Sequence, residues 1–202
     1  MKTVKNLLVL LYSPMASSGD VLPVDELRTS YRLVRDPKMQ RVLRVQAALG
    51  TAIREYLNGQ GFVELLPPII GPVTDPGIRG AKQATFNFYG REYKIMSSAI
   101  LYKQMMAASL GQVYFFSPNI RLEPLETVTT RRHLVEFVQV DVEEAGATYH
   151  DAMRRAEDLV AYVHDYAKTR LGEDLAAAGR SLNGARVPFR RLRYEEVLKI
   201  LA

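Results

Sequence analysis

Residues suited to phosphate chemistry lie in a basic loop between two extended segments of the sequence. Arg121 ends the first segment, and Arg132 and His133 stand just before the second. Because the planar fork of arginine meets phosphate oxygens in bidentate fashion, two arginines facing each other across a hairpin could grip a triphosphate. The sequence has no Gly-rich phosphate loop and no Walker pattern, so side chains would have to build such a site.

Two further residues near this loop could bind a nucleobase. The Phe137 ring, on an open sheet face, could stack on a base, and the Glu123 carboxylate could accept a hydrogen bond from an exocyclic amine such as that of adenine. The alternative interpretation is plainer, since basic hairpin loops are often only solvated and a phenylalanine in a strand usually packs in the core. The residues alone leave both interpretations open.

A pair of antiparallel strands must position these residues. The segment from Val113 towards Ile120 is extended and apolar, and residues 134–142 alternate apolar and polar types, which predicts two strands joined by a long loop. Other patterns predict helices over 36–57, over 98–110 with Ser98 as cap and Gly111 after its end, and after a Thr148–Asp151 capping box. The buried face of this last helix is predicted to consist of Met153, Ala156, Leu159, Val160, Val163 and Ala167. A strand is predicted over 62–66, and a hairpin of 85–89 with 92–96 that turns at Gly90-Arg91. Strands mixed with helices, without regular βαβ alternation, indicate an α+β fold around an antiparallel sheet.

Composition and charge narrow the class of protein. Hydrophobic residues make up 48% of the 202 residues, enough for a sizeable core, and the absence of cysteine excludes disulfides and thiolate metal sites. The net charge of +5 suits a polyanionic partner such as a nucleotide or RNA. The apolar run 7–12 is far shorter than the roughly 20 residues that span a bilayer. We expect a cytoplasmic protein with no membrane association; a signal peptide is the alternative, because Lys2 and Lys5 precede the run.

The hairpin resembles motif 2 of the class II aminoacyl-tRNA synthetases, which reads Phe-Arg-x-Glu, a loop, then Arg-His-x-x-Glu-Phe. The matching residues are 120–123 and 132–137. The similarity is greatest to the aspartyl and asparaginyl branch, whose motif 1 resembles the helix followed by 61–68 and whose amino-acid-binding segment resembles 98–104. The resemblance implies a class II synthetase-type antiparallel sheet flanked by helices over residues 28–202. Residues 1–27 are then an N-terminal extension.

The resemblance also implies the site residues, position by position. Those for ATP are Arg121, Glu123, Arg132, His133, Leu134 and Phe137. Those for aspartate are Lys103, Ser98, Gln139, Asp141 and Asp75. Arg121 would be the catalytic residue, holding the α-phosphate and the substrate carboxylate. Lys103 would pair with the aspartate side chain, Asp141 would accept from the α-amino group, and Mg²⁺ would share the stabilisation of charge.

The sequence also departs from the family pattern. Ser98-Ala99-Ile100 stands where Ser-Pro-Gln is common, and no OB-fold precedes motif 1. Motif 3 and the acidic metal ligands of the family are absent, so no metal ligand is identifiable and the fold is predicted to be incomplete at its C-terminus. We favour a piece of a longer polypeptide over a genuinely short relative, since a sheet without its later strands would expose a long edge.

Three functions compete on this basis. The missing anticodon domain and the loop 74–83 resemble the archaeal asparagine synthetases related to asparaginyl-tRNA synthetase. This likeness predicts synthesis of asparagine from aspartate, ATP and ammonia through an aspartyl-adenylate, independent of tRNA. One alternative is an aspartyl- or asparaginyl-tRNA synthetase. The other is a catalytically inactive paralogue that binds tRNA or a partner protein. The motif 1 resemblance implies a homodimer built on its helix and strand.

Overall fold

The computed structural model describes residues 34–74, 82–124 and 133–201. Asp75, Arg132 and the predicted extension 1–27 lie outside the described residues. Contacts divide the chain into two compact units, of which the first contains residues 57–146 and the second residues 45–56 and 147–201. None of the helices described in these ranges is both apolar enough and long enough to span a membrane.

A long antiparallel strand pair forms the centre of the first unit. Strand β5 (Gln112–Ile120) runs antiparallel to β6 (Glu136–Glu144), with Ser117 opposite Gln139. The short strand β1 (Val63–Glu64) adds in parallel on the other side of β5, so the sheet order is β1-β5-β6. The predicted strand pair is confirmed. The strand predicted over 62–66 contracts to two residues.

Helix α1 (Pro37–Gly59) confirms the helix predicted over 36–57. The Asp36 carboxylate accepts a hydrogen bond from the Lys38 backbone N–H at 2.8 Å, which satisfies one of the free donors at the helix start. After the helix, Gly61 takes a φ of 84°, a conformation that favours glycine. The chain can therefore turn directly from α1 into β1.

A second sheet, of order β2-β4-β3, consists of β2 (Ile70–Gly71), β3 (Thr85–Phe88) and β4 (Arg91–Ile95). All its pairings are antiparallel. The predicted hairpin exists, but its turn is Tyr89-Gly90 rather than Gly90-Arg91. Both turn residues have positive φ, 51° and 72°, as a tight hairpin with right-twisted strands requires.

Helix α2 (Ile100–Leu110) begins two residues later than predicted, and the predicted Ser98 cap is wrong. Ala99 precedes the helix and makes no side-chain capping bond. The backbone of Ser98 is bonded instead to Thr74, whose hydroxyl donates to the Ser98 carbonyl at 3.0 Å. A tertiary contact has therefore replaced the local cap. Gly111 follows the helix, as predicted, with a φ of 84°.

The second unit is helical. It contains α3 (Tyr149–Arg170), α4 (Gly172–Ala177) and α5 (Tyr194–Leu201). The predicted Thr148–Asp151 capping box is present at the start of α3. Of the apolar face predicted for α3, only Ala167 is buried, whereas Met153 and Val160 are 41% and 43% exposed. The buried acid of α3 is Glu157, which forms an ion pair with Arg191 at 2.6 Å. Two sheets rich in antiparallel pairs together with helices confirm the α+β class.

Candidate active site

One face of β6 carries three of the eleven predicted site residues. Four side chains alternate along this strand and therefore lie on the same face: Phe137, Gln139, Asp141 and Glu143. Their cross-strand partners on β5 share that face, so Asp141 lies opposite Phe115 and Gln139 opposite Ser117. Three of the four β6 residues were predicted from the sequence. The two-residue period of the strand brings them into a row.

Lys103 of α2 reaches this face at one end. Its Nζ lies 3.1 Å from the Asp141 carboxylate and 2.9 Å from that of Glu143. Burial alone would lower the pKa of Lys103, but the hydrogen bond that Lys103 donates to Glu143 and the attraction of Asp141 outweigh it and raise the pKa. One ammonium between two carboxylates leaves an excess of negative charge. This end of the face therefore favours a ligand ammonium group.

Arg121 lies at the opposite end of the face. Its guanidinium carbon is 4.9 Å from the centre of the Phe137 ring, a cation–π contact. Its Nε donates to the Ser97 carbonyl at 3.1 Å. Among the described residues Arg121 has no carboxylate partner, so its outer N–H groups can meet an anion. Phe137, predicted to stack on adenine, holds Arg121 on one side of its ring.

Two buried hydroxyl groups, those of Thr74 and Ser97, lie beside the backbone carbonyl that binds Arg121. Thr74 Oγ1 lies 3.3 Å from Ser97 Oγ and accepts from the Ser97 backbone N–H at 3.1 Å. The Ser97 carbonyl accepts a hydrogen bond from Arg121. The bonds between Ser97 and Thr74 therefore also hold the group to which Arg121 is bonded. The loop that begins at Thr74 was singled out from the sequence, but no role was assigned to the Thr74 or Ser97 side chains. Ser98, predicted to bind aspartate, adjoins these hydroxyl groups through its backbone bonds to Thr74.

The remaining predicted residues of the nucleotide site flank the segment 125–132, which contains Arg132 and is not described. Glu123 is partly buried, and its backbone N–H donates to the Arg121 carbonyl at 2.8 Å. His133 is exposed and Leu134 partly buried. The described contacts do not bring these three side chains onto Arg121. Their roles stay predictions, as do those of Arg132 and Asp75.

Two residues of this face were missed. Glu143 follows Asp141 by two positions, so the strand period could have identified it as a second partner of Lys103. Asn119 donates from its Nδ2 to Gln139 Oε1 at 3.1 Å. The register of the strand pair places it there, and a single sequence does not reveal register.

A metal site built by protein side chains does not emerge from the described ranges. No group of three or more His, Cys, Asp or Glu side chains converges there. Mg²⁺ prefers carboxylate, phosphate and water oxygens in an octahedral arrangement. The acids of the β6 face are engaged by Lys103 instead, so they do not fit that ion. Mg²⁺ stays a prediction tied to the ATP phosphates.

Comparison with known proteins identifies the family of the chain. The family of class II tRNA synthetases (D, K and N) matches residues 25–202. The asparagine–tRNA ligase of Desulforamulus reducens is 30% identical over 83% of this chain and 39% of its own length. The aspartate–tRNA(Asp/Asn) ligase of Methanopyrus kandleri is 33% identical over 94% of this chain and 44% of its own length. The chain thus spans less than half of these relatives.

The solved structures give the same result. The asparaginyl-tRNA synthetase of Pyrococcus horikoshii, complexed with asparaginyl-adenylate, superposes with a TM-score of 0.75 at 27% identity. The match covers 92% of this chain and 44% of that one. The asparaginyl-tRNA synthetase of Entamoeba histolytica, at 23% identity and a TM-score of 0.76, shares the fold. The chain belongs to the class II tRNA synthetases of the D, K and N branch.

Proposed function

We propose that the chain takes part in the ATP-dependent activation of aspartate or asparagine to an aminoacyl-adenylate, which then charges tRNA. The observation that carries this proposal is the shared face of β6. An ammonium-binding cluster of Lys103, Asp141 and Glu143 lies at one end, and an arginine held for anion binding lies at the other. An amino acid bound at the first end and a nucleotide bound at the second would have the carboxylate and the α-phosphate next to each other.

The proposed step is attack of the amino-acid carboxylate on the α-phosphate. A new bond joins the carboxylate oxygen to phosphorus, and the bond from the α-phosphorus to the bridging oxygen of pyrophosphate breaks. No proton transfer is needed, so stabilisation of charge and alignment supply the catalysis. Arg121 suits the stabilising role because its outer N–H groups have no competing carboxylate among the described residues.

The acids beside Lys103 bear on the choice of amino acid. Because Lys103 is shared between Asp141 and Glu143, the cluster carries excess negative charge and does not offer a free cation. This arrangement suits the ammonium group of any amino acid and a neutral side chain such as that of asparagine. An aspartate side chain would have to draw Lys103 away from one of its acids. Both substrates therefore belong in the test.

Pyrophosphate exchange into ATP tests the proposal directly. Aspartate, asparagine and lysine are supplied separately, because the family includes enzymes for all three. We expect exchange with aspartate or asparagine and none with lysine. The α-ammonium group of the substrate already neutralises the excess negative charge of the cluster, so the lysine side chain would add an unpaired cation beside Lys103. Exchange that does not depend on an amino acid, or that lysine supports equally well, contradicts the proposal.

The ammonia reaction is less well supported than transfer to tRNA. The relatives named above are tRNA ligases, so the comparisons favour the alternative over our leading sequence prediction of asparagine synthesis. The two differ in the second step. Release of AMP and asparagine in the presence of aspartate, ATP and ammonia, without tRNA, would restore the original prediction. Charging of tRNA by aspartate or asparagine in the presence of ATP, without ammonia, supports the present proposal.

A homodimer is part of the proposal. Large apolar side chains stand exposed along the predicted motif 1 region after α1, and Leu66 is 91% exposed while Ile69 and Ile70 are each 52% exposed. Contiguous exposed apolar surface is typical of subunit interfaces. Sedimentation should therefore give a dimer, and Leu66→Asp should shift it towards monomer. A wild-type monomer at micromolar concentration contradicts this part of the proposal.

A further inference from the structure

Three polar side chains lie together at the centre of the β5–β6 pair. Ser117 and Asn119 on β5 are completely buried, each with 0% exposure. Gln139 on β6 lies opposite Ser117 and on the same face as Asp141. Buried polar residues in the middle of a strand pair destabilise a fold relative to apolar ones unless they are fully hydrogen-bonded. Asn119 Oδ1 has no partner among the described residues, so packing alone does not account for this amide.

The hydrogen bonds of Asn119 fix which way its amide points. Its Nδ2 donates to the backbone carbonyl of Ser117 at 2.9 Å. A carbonyl oxygen can only accept, so the amide nitrogen must face it. The second hydrogen of Nδ2 is directed at Gln139 Oε1, 3.1 Å away. The orientation of Asn119 therefore follows from the backbone itself.

The orientation of the Asn119 amide also determines the orientation of the Gln139 amide. If the Gln139 amide were flipped, its NH₂ group would face the NH₂ group of Asn119, and two donors would oppose each other. The oxygen of Gln139 is thus held on Asn119, and its Nε2 is left to other partners. Within the described ranges Nε2 has no partner. Gln139 therefore directs its two N–H donors, rather than its oxygen, away from Asn119.

We propose that Asn119 is a positioning residue that sets Gln139 as a hydrogen-bond donor for the carboxylate of the bound amino acid. Along the face, Asp141 and Glu143 offer acceptors to an ammonium group, Gln139 offers donors next, and Arg121 follows. This order matches an amino acid lying along β6 with its carboxylate towards Arg121. The inference rests on the proposed function and adds how the amino acid is oriented.

A double-mutant cycle on amino-acid affinity tests the inference. Calorimetry measures binding of aspartate, asparagine and ATP to the full chain and to Asn119→Leu, Gln139→Leu and the double variant. Leucine approximates asparagine in size but cannot orient Gln139. We expect Asn119→Leu to weaken amino-acid binding roughly tenfold, the loss typical of one hydrogen bond to a charged group, and to leave ATP binding unchanged. In the Gln139→Leu background it should add nothing.

Asn87→Leu is the matched control. It makes the same chemical change in the β3–β4 hairpin, where the Asn87 side chain accepts from the Gly90 N–H at 3.1 Å. It should lower stability and leave amino-acid affinity unchanged. Equal losses in Asn87→Leu and Asn119→Leu would show a general effect of destabilisation and overturn the inference. So would losses from Asn119→Leu and Gln139→Leu that simply add.

A second readout separates the inference from the proposed function. The side-chain amide resonances of Gln139, assigned by their absence in Gln139→Leu, should shift in Asn119→Leu and stay in place in Asn87→Leu. Unshifted resonances overturn the inference even where aspartate or asparagine binds. Shifted resonances in a chain that binds neither amino acid uphold the orientation of Gln139, contradict its role towards a carboxylate, and overturn the proposed function.

Discussion

The two ends of the β6 face differ in how their charges are balanced. At the Lys103 end an ammonium sits between two carboxylates, and all three side chains are at least partly buried. At the Arg121 end a guanidinium rests on the Phe137 ring and a backbone carbonyl, with no carboxylate partner among the described residues. We call the Lys103 end closed because its charged groups contact one another, although one negative charge is left in excess. We call the Arg121 end open because it can receive an anion.

This difference indicates how two substrates could share one strand. A closed cluster selects by its net charge, so it suits the ammonium group of an amino acid. An open arginine keeps its hydrogen-bonding capacity for phosphate, whose charge then supplies the missing partner. Variants at each end should therefore fail in different ways.

The largest effect is expected at the open end. Arg121→Ala removes the group proposed to stabilise charge at the α-phosphate, and losses of such groups cost about 10²–10³-fold in rate. Pyrophosphate exchange should fall by that factor, with Arg121→Lys recovering only part of it because lysine lacks the planar fork. Arg91→Ala, an exposed arginine on β4, is the matched control. An equal loss of pyrophosphate exchange in Arg91→Ala and Arg121→Ala would contradict a specific role of Arg121.

A smaller effect, on both the free energy of unfolding and the amino-acid affinity, is expected at the closed end. Lys103→Met leaves Asp141 and Glu143 facing each other without compensation. Because the three side chains keep 13–30% exposure, we expect a loss of about 1–2 kcal/mol in the free energy of unfolding, less than for a fully buried pair. Urea denaturation measures it. Amino-acid affinity should fall while ATP affinity holds, and a parallel fall in both would contradict the division between the ends.

The pH dependence of that loss follows from the raised pKa of Lys103. A group whose pKa is higher in the folded state contributes stability that is fully present below its unfolded pKa, about 10.4, and is lost as pH rises through the folded value. The difference in unfolding free energy between wild type and Lys103→Met should therefore be the same at pH 7 and pH 9. A difference that declines between these pH values contradicts the raised pKa.

Glu143→Gln should change the charge at the closed end and leave the Arg121 end unaltered. It removes one negative charge and leaves Lys103 to Asp141 alone, so the cluster becomes neutral. Aspartate, which carries an extra negative charge, should gain relative to asparagine by roughly tenfold in the ratio of binding constants. Calorimetric titration with both amino acids measures the ratio. An unchanged ratio would mean that Glu143 does not contact the amino-acid pocket.

The smallest effect is expected in the second unit. Thr148→Ala removes the capping box of α3, whose bonds from Thr148 lower the pKa of Asp151. The stability from this box is present above the unfolded pKa of Asp, about 3.9, and is lost as pH falls through the lower folded value. The melting temperature should drop by about 2–4 °C at pH 7 and by less at pH 3. Amino-acid affinity should not change.

Local patterns predicted the parts of the molecule that depend on local interactions. An extended apolar run predicted β5 and alternation predicted β6, and the strand period then placed Gln139 and Asp141 on one face. The Ser98 cap failed because Thr74, distant in sequence, bonds the Ser98 backbone. Glu143 was missed although the strand period places it on the same face as Asp141. Asn119 was missed because its contact with Gln139 depends on strand register, a tertiary fact that no local propensity contains.

A stable adenylate analogue tests the central claim that one face joins both substrates. Calorimetry with aspartyl- and asparaginyl-sulfamoyl adenosine compares each analogue with ATP and with the free amino acid. Because an analogue engages both ends at once, we expect at least one to bind more tightly than either substrate, and Arg121→Ala and Lys103→Met each to reduce that affinity. Analogues that bind no more tightly than ATP, or that ignore both substitutions, would contradict the account.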